Sequence, residues 1–417
     1  MSDDGLACRF ALTELVWRPL DAMRADKVGI DVVETVRRWL FPFADPQVAE
    51  WSVTARWLQR LTFLWLAVGL VVLFSASFPM SVADHGDGFY YIKRQVAWAV
   101  LGVGGYGVML RVPLKVWWQG AGPGLLICVV LMGLTLSHGT QVNEASRWLA
   151  LGPLLIQPSE LVKPFLLLQS SRLFANWFHL PWVTRALWLG VLAATVGLIL
   201  LQPNLSMAGL MGMTLWVLAL AAGLPWFYLV TTALGGVAVA GLSLWQKDYQ
   251  RRRVISFLNP WADPLGDGYQ LVQSLLAVGS GGIWGTGLGL SQQKLFFLPI
   301  QHTDFIFAVF AEELGLVGSL LFLGFLLVYA GLGLRVAMQA EKQPGLRLVA
   351  LGATVLLVGQ SLVNVGVATG VLPTTGLPLP FFSYGGNALL ANFLLAGLLV
   401  RVARETQRGM VLTWRQG

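Results

Sequence analysis

Long apolar runs separated by short polar ones set the pattern of this chain. Ten stretches, near 61–77, 95–110, 121–137, 158–174, 186–202, 205–222, 225–245, 305–333, 348–370 and 385–400, are apolar enough to cross a bilayer. A span needs roughly 20 residues, with a few fewer or more accommodated. None shows the alternating polar positions of a membrane barrel, so each is read as a helix. The pattern predicts an all-α integral membrane protein, a polytopic bundle of about ten transmembrane helices. Between helices seven and eight it leaves a large extracytoplasmic loop, residues 246–304.

Composition agrees with the pattern. Of 417 residues, 56% are hydrophobic and only 12% charged, with a mean hydropathy of +0.67. A soluble chain of this size would lack the polar surface to cover its core. Placing the N-terminus in the cytoplasm puts Arg111, Lys115, Arg172, Arg185, Arg335, Lys342 and Arg347 in inner loops, and ten spans return the C-terminus to the same side. Lys247 and Arg251 to Arg253 lie outside, in the longest loop, where that rule has least force. The net charge of +7 is mostly this topology signal and implies no nucleic-acid partner.

The expected organisation is a cytoplasmic N-terminal extension, 1–57, a transmembrane domain, 58–403, and a cytoplasmic tail, 404–417. Within the extension, Ile30, Val33, Val36, Trp39 and Leu40 fall at helical spacing opposite Asp31, Glu34, Arg37 and Arg38, as in a helix lying on the inner membrane face. A plain cytoplasmic tail fits equally well. Charges of both signs are scattered here, unlike a cleavable signal. Cys8 is cytoplasmic and Cys128 mid-span, so no disulfide is implied.

Polar residues in and beside the spans carry most of the chemical information, because they are expensive there. Glu160 and Lys163, three apart, share a helix face and can neutralise each other, either as a structural ion pair or as a lining of a substrate path. Asp304 closes the long polar segment and opens span eight. A carboxylate there can act on a lipid-borne substrate at the membrane surface, or Thr303 or Asp304 can simply cap the helix. On one continuous helix, Glu312 would lie about 80° around the axis and about 12 Å along it from Asp304, with Glu313 on the opposite side, so neither is a close partner. Both are expected to find basic partners or backbone donors in the bundle.

The long loop mixes Arg251 to Arg253 with a glycine-rich turn, 279–289. The arginines can clamp a diphosphate bidentately or bind lipid head groups, and the glycines let backbone N–H groups approach an anion. Near the C-terminus, 378–386 combines prolines, aromatics and glycines. It reads as a re-entrant segment or as a tight connection before helix ten.

Four strings in order, QPSELVK (157–163), RRRVISFLNPWADPLGDGYQLVQS (251–274), GIWGTGLGLSQQKLFFLPIQHTDFIFAVFAEELGLVG (282–318) and NVGVATGVLPTTGLPLPFFSYGG (364–386), resemble the SEDS family of peptidoglycan polymerases. Residues 257–264 and 372–376 are more similar to its division branch than to its elongation branch. The resemblance implies a glycosyltransferase that polymerises lipid II on the outer face of the cytoplasmic, or inner, membrane at the division septum. It maps the catalytic role onto Asp304, as general base and as a ligand of a divalent cation, Mg2+ or Mn2+. Substrate contacts are expected from Arg251, Arg252, Arg253, Lys163, Glu160, Gln157, Gln292, Lys294, His302, Thr303, Ser383 and Tyr384. The implied partners are lipid II, undecaprenyl diphosphate-linked glycan, a class B penicillin-binding protein transpeptidase and other divisome membrane proteins. A transporter of lipid-linked precursor, an elongation-type polymerase and a non-catalytic scaffold are the alternatives.

One departure from the family pattern matters. Where an acidic residue is common, this chain has Asn204, in Gln202-Pro203-Asn204-Leu205-Ser206. Asparagine accepts a hydrogen bond but cannot act as a base. Glu144 adds an outer acid elsewhere.

Overall fold

The computed structural model describes Val48 and residues 51–142, 145–152 and 154–415. The expected interfacial helix of the extension, Cys8 and Glu144 lie outside the described residues. All ten apolar stretches become helices. In chain order the first three are α1 (Val53–His85), α2 (Tyr90–Arg111) and α3 (Leu114–His138). A small antiparallel sheet follows, in the order β1 (Thr140–Val142), β2 (Ala145–Leu151) and β3 (Leu154–Ile156). It pairs Thr140 with Trp148 and Leu149 with Ile156. The strands are too short to stand out from an outer loop by periodicity.

The bundle continues with α4 (Pro158–Ala175), α5 (Trp182–Leu201), α6 (Leu205–Ala221) and α7 (Trp226–Gln246). The long outer loop then carries two short helices, α8 (Asp248–Leu258) and α9 (Tyr269–Ser280). Last come α10 (Ile306–Gln339), α11 (Pro344–Ala368) and α12 (Gly386–Arg415). Seven of these are long and apolar enough to cross a membrane by length and composition alone. The exceptions have plain causes: α6 is short, and α2 and α4 carry ionisable residues within their length.

Helix ends follow local chemistry. Ser52 caps α1 by accepting from the Ala55 N–H at 3.1 Å, and Gly86 ends it in the left-handed conformation at φ 67. Inner helix ends are tied together where Arg401 and Arg404 of α12 donate to the Leu110 carbonyl at 2.7 and 2.9 Å. α12 packs against α1, α2, α4, α10 and α11 and forms the centre of the bundle. α7 lies at its edge, with only Leu229 of its residues buried.

Two irregularities build the outer mouth. α10 is two helices joined at Gly315, whose φ of 66 and ψ of -164 are not helical. On one straight helix the Cα atoms of Phe307 and Phe322 would stand about 22 Å apart, yet their rings lie 6.1 Å centre to centre, so the chain folds back there. The second irregularity is the helix-free stretch 371–385, which enters the bundle far enough for Phe381 to meet Trp65 of α1 at 5.3 Å. Of the two readings of that segment, the re-entrant one matches its path.

Candidate active site

Asp304 does not lie on α10. The helix starts at Ile306, its N-cap residue is Phe305, and no side chain caps it. The helix-cap alternative for Thr303 and Asp304 is therefore not the one adopted, and the single-helix spacing between Asp304 and Glu312 does not apply. Instead the segment 302–304 is held from two sides. Asn364, near the outer end of α11, donates its side-chain amide to the Asp304 carbonyl at 2.7 Å and to the Leu377 carbonyl at 2.9 Å. On the other side Ser383 donates its hydroxyl to the Thr303 carbonyl at 2.5 Å, and the Tyr384 N–H donates to the His302 carbonyl at 2.9 Å.

With its backbone fixed, Asp304 keeps its carboxylate partly accessible and, among the described residues, free of any ion pair. Burial raises its pKa to about 6, while Arg253 and Arg147 pull in the opposite direction. A carboxylate poised there is ionised at neutral pH and still a competent proton acceptor. His302 is enclosed by Tyr91 and Tyr384, at 4.7 and 5.8 Å between rings, and burial lowers its pKa to about 4. At neutral pH it is an uncharged wall of the site.

The three consecutive arginines separate by helical geometry, because α8 turns each about 100° from the last. Arg251 and Arg252 are exposed, and Arg251 pairs with Asp248 at 2.7 Å. Arg253 turns inward over the Tyr249 ring at 4.5 Å and reaches the Thr374 carbonyl at 3.4 Å. Arg147 was not singled out from sequence. Its Nε and Nη2 donate to the carbonyls of Gln202 and Pro203 at 2.9 and 2.6 Å, which fixes it at the same mouth. Burial lowers its pKa first, and Arg253 adds to that effect. Asn204 caps α6 by accepting from the Met207 N–H at 3.2 Å.

Glu160 and Lys163 form a buried ion pair at 2.6 Å, and Lys163 also donates to Gln360 at 2.8 Å. Gln360 donates to the Pro378 carbonyl at 2.6 Å. Through Leu377 and Asn364 this network is continuous with the backbone of Asp304. Gln157 precedes α4 and is partly exposed.

The two glutamates that follow on α10 are engaged from the loop and from α1, although one oxygen of Glu313, Oε2, is buried without a partner among the described residues. Glu313 accepts from Lys294 at 2.7 Å and Ser75 at 2.6 Å, while Glu312 accepts from the Ser291 hydroxyl and the N–H groups of Gln292 and Gln293. Lys294 is thus turned inward as a brace for the loop, and the Gln292 side chain is exposed. The glycine turn packs on the same place. Thr286 and Gly287 donate their N–H groups to the Glu312 and Glu313 carbonyls, at 2.9 and 3.0 Å. A Cβ on Gly285 would stand 2.2 Å from the Glu313 oxygen. These amides close the protein on itself and are not available to cradle an anion.

Arg147, Asn364 and Gln360 differ in how visible their place at the site is from sequence. An arginine in an outer loop has no sequence signal for facing inward. Asn364 and Gln360 are two amides four apart in one apolar span, a pattern that suits interhelical hydrogen bonding but does not say that Asp304 is what they hold.

Comparison with known proteins places the chain. A family model described as cell cycle protein, FtsW/RodA/SpoVE, matches residues 55–408. A Synechocystis sp. protein named "Probable peptidoglycan glycosyltransferase FtsW" is 56% identical over 376 residues, 90% of this chain and 95% of the relative. A Coxiella burnetii protein of the same name is 39% identical over 370 residues, 86% of this chain and 98% of the relative. Among solved structures, a chain from a peptidoglycan synthase complex that coordinates polymerization and crosslinking superposes with a TM-score of 0.68 at 32% identity, covering 84% of this chain and 97% of that one. The crystal structure of Thermus thermophilus rod shape determining protein RodA superposes at 0.62 and 30% identity, covering 84% and 96%.

Proposed function

The chain belongs to the FtsW/RodA/SpoVE family, and from that premise we propose that Asp304 is the general base of its glycosyl transfer. The protein is a membrane-spanning peptidoglycan glycosyltransferase that builds glycan for cell division. The observation that carries the assignment is the contrast in partners: the backbone of Asp304 is clamped while its carboxylate makes no ion pair among the described residues.

The reaction follows from that placement. The 4-hydroxyl of the acceptor GlcNAc attacks C1 of the donor MurNAc, and Asp304 takes the hydroxyl proton as the C–O bond forms. The bond from C1 to the diphosphate breaks with inversion, and its electron pair leaves on undecaprenyl diphosphate. Cationic side chains at the mouth stabilise that developing charge. The network from Glu160 and Lys163 through Gln360 to Asn364 supports the geometry of the base and does not itself transfer a proton.

A divalent cation, Mg2+ or Mn2+, fits these residues in one way. Among the described residues no three His, Cys, Asp or Glu side chains converge, so the protein alone does not build a metal cage. Asp304 would hold such an ion together with diphosphate oxygens and water, the usual manner for Mg2+. The ion would supply charge neutralisation on the diphosphate.

The partner we propose is a class B penicillin-binding protein, with lipid II as the shared precursor. A groove of about 610 Å³ between α1 and α10, lined by Leu61, Val317, Leu320, Leu321, Phe325 and Val328, is apolar throughout and suits a single-span helix of that partner. Both termini in the cytoplasm and residence at the septum complete the reading. The test is polymerisation of lipid II by the full chain with its partner in liposomes. Polymer that disappears in Asp304→Ala is expected; movement of lipid II across the bilayer without polymer would replace this reading with transport.

A further inference from the structure

We propose that Tyr91 of α2 and His302, with Asp84 and His85 at the end of α1, form a saccharide platform that holds the acceptor disaccharide and aims its 4-hydroxyl at Asp304. This deepens the glycosyltransferase reading and rests on it.

The frame of the platform is rigid. Gly86 turns the chain in the left-handed conformation, and Ser81 donates its hydroxyl to the Asp87 carbonyl at 2.8 Å. The Asp87 carboxylate accepts from the Phe89 N–H at 2.9 Å and from Lys93 at 2.8 Å. Gln95, buried in the second turn of α2, donates to the Ser383 carbonyl at 3.1 Å and accepts from the Gly385 N–H at 3.2 Å. The start of α2 is thereby tied to the same segment whose Tyr384 N–H holds the His302 carbonyl.

On this frame the rings form a row. Tyr91 lies 4.7 Å from His302, 5.0 Å from Tyr384 and 5.6 Å from His85, and His85 stacks on Tyr90 at 3.5 Å. The row begins two residues from Asp304 and ends at an exposed ring. A cluster that served packing alone would be buried and apolar. Here Tyr90, Tyr91 and Tyr384 are half-buried, His85 is exposed, and polar atoms are left open. Asp84 accepts from the Tyr91 hydroxyl at 2.9 Å and pairs with no cation among the described residues. Nδ1 of His302 is sealed in the interior without a partner, whereas Nε2 of the same ring is not sealed and has no partner among the described residues.

The chemistry that fits is an uncharged sugar ring. A pyranose presents a face of C–H groups to an aromatic ring and a rim of hydroxyls to acceptors and neutral donors. Tyr91 and His85 offer rings, Asp84 offers an acceptor, and His302, uncharged at neutral pH, offers a ring nitrogen at the end nearest the base. An anion suits this side poorly. Lys93 is paired with Asp87, Arg94 donates to the Tyr90 hydroxyl at 2.7 Å, and Asp84 adds negative charge. Holding the acceptor by its ring face fixes the approach of the 4-hydroxyl, an orientation that a base alone cannot impose.

The test uses the full chain with its partner in liposomes, and the probe is a lipid-free GlcNAc–MurNAc tetrasaccharide. This probe should inhibit polymerisation of lipid II by the parent protein. Tyr91→Ala and His85→Ala should each raise its inhibition constant about three- to tenfold, the range for one lost aromatic contact. Tyr91→Phe keeps the ring and should recover most of the affinity. Trp245→Ala, which removes an exposed ring at the outer end of α7, should leave the constant unchanged. An unchanged constant in both alanine variants overturns the proposal, even if turnover falls, because the rings then only pack the mouth. A parent protein insensitive to the tetrasaccharide overturns it as well. Should Tyr91→Ala fail to fold, His85→Ala decides, since its ring is exposed. The base assignment is read separately: Asp304→Asn should abolish polymer yet bind the tetrasaccharide as the parent does, measured by saturation-transfer NMR. Polymer made by Asp304→Asn would remove the base and leave the platform standing.

Discussion

Asp304 and the pair Glu312–Glu313 lie within ten residues of one another, and they have opposite fates. Glu312 is enclosed by donors from the long loop, and Glu313 is held on one oxygen by Lys294 of that loop and by Ser75 of α1. Asp304 has its main chain held by Asn364 while its carboxylate, among the described residues, is left without a counter-ion contact. A carboxylate held by a lysine or by several donors ties the structure together; one that is positioned without a counter-ion keeps its lone pairs for a substrate. The glutamates anchor the loop at the Gly315 fold-back, and that fold-back returns the chain so that Asp304 meets α11.

The sharpest way to break this comparison is to remove each carboxylate in turn. Asp304→Asn should reduce polymerisation by about 10²- to 10⁴-fold, the usual contribution of a positioned acid or base. Its thermal unfolding in detergent should match the parent; a large loss of stability would mean that Asp304 is structural after all. Lys294→Met should behave in the opposite way, costing about 3–5 kcal/mol of stability because Glu313 is left buried and unpaired. Adding Glu313→Gln to that variant should restore much of the unfolding temperature, and failure to do so would locate the cost elsewhere.

A smaller effect concerns pH. The reaction needs the ionised form of Asp304, whose pKa is raised to about 6, so the rate should be flat above that value and fall about tenfold per unit below it. Since Arg253 favours the ionised form, Arg253→Gln should move the midpoint upward. A pH profile centred near 4 would argue that the group titrating is not this one. The smallest change is expected from Arg251→Gln, because an exposed ion pair contributes little. Wild-type rates in that variant would sharpen the distinction between the outward and inward arginines of α8.

Much of this was legible in the chain. All ten apolar helices could be placed because the cost of exposing an unbonded backbone to lipid leaves few alternatives to a helix. Glu160 and Lys163 could be paired because spacing on one helix fixes which side chains meet. Asp304 was conspicuous for sitting where a polar loop becomes apolar. By contrast, α7 and α12 look much alike in hydropathy, but one is at the lipid edge and the other at the centre of the bundle. Hydropathy measures affinity for an apolar medium and does not distinguish lipid from protein as that medium.

The sequence by itself determined the membrane setting, the helices, the i,i+3 ion pair and the family, since all of these depend on residue type and short-range spacing. Only the tertiary structure decided that Asp304 lies off the helix, that the glycine turn braces Glu312 and Glu313, that Arg253 alone of its triplet turns inward, and that Arg147 joins it. These contacts join residues tens to hundreds of positions apart, through backbone carbonyls that every residue possesses. Residue identity along the chain therefore carries almost no trace of them, and they emerge only when folding brings the carbonyls and side chains together.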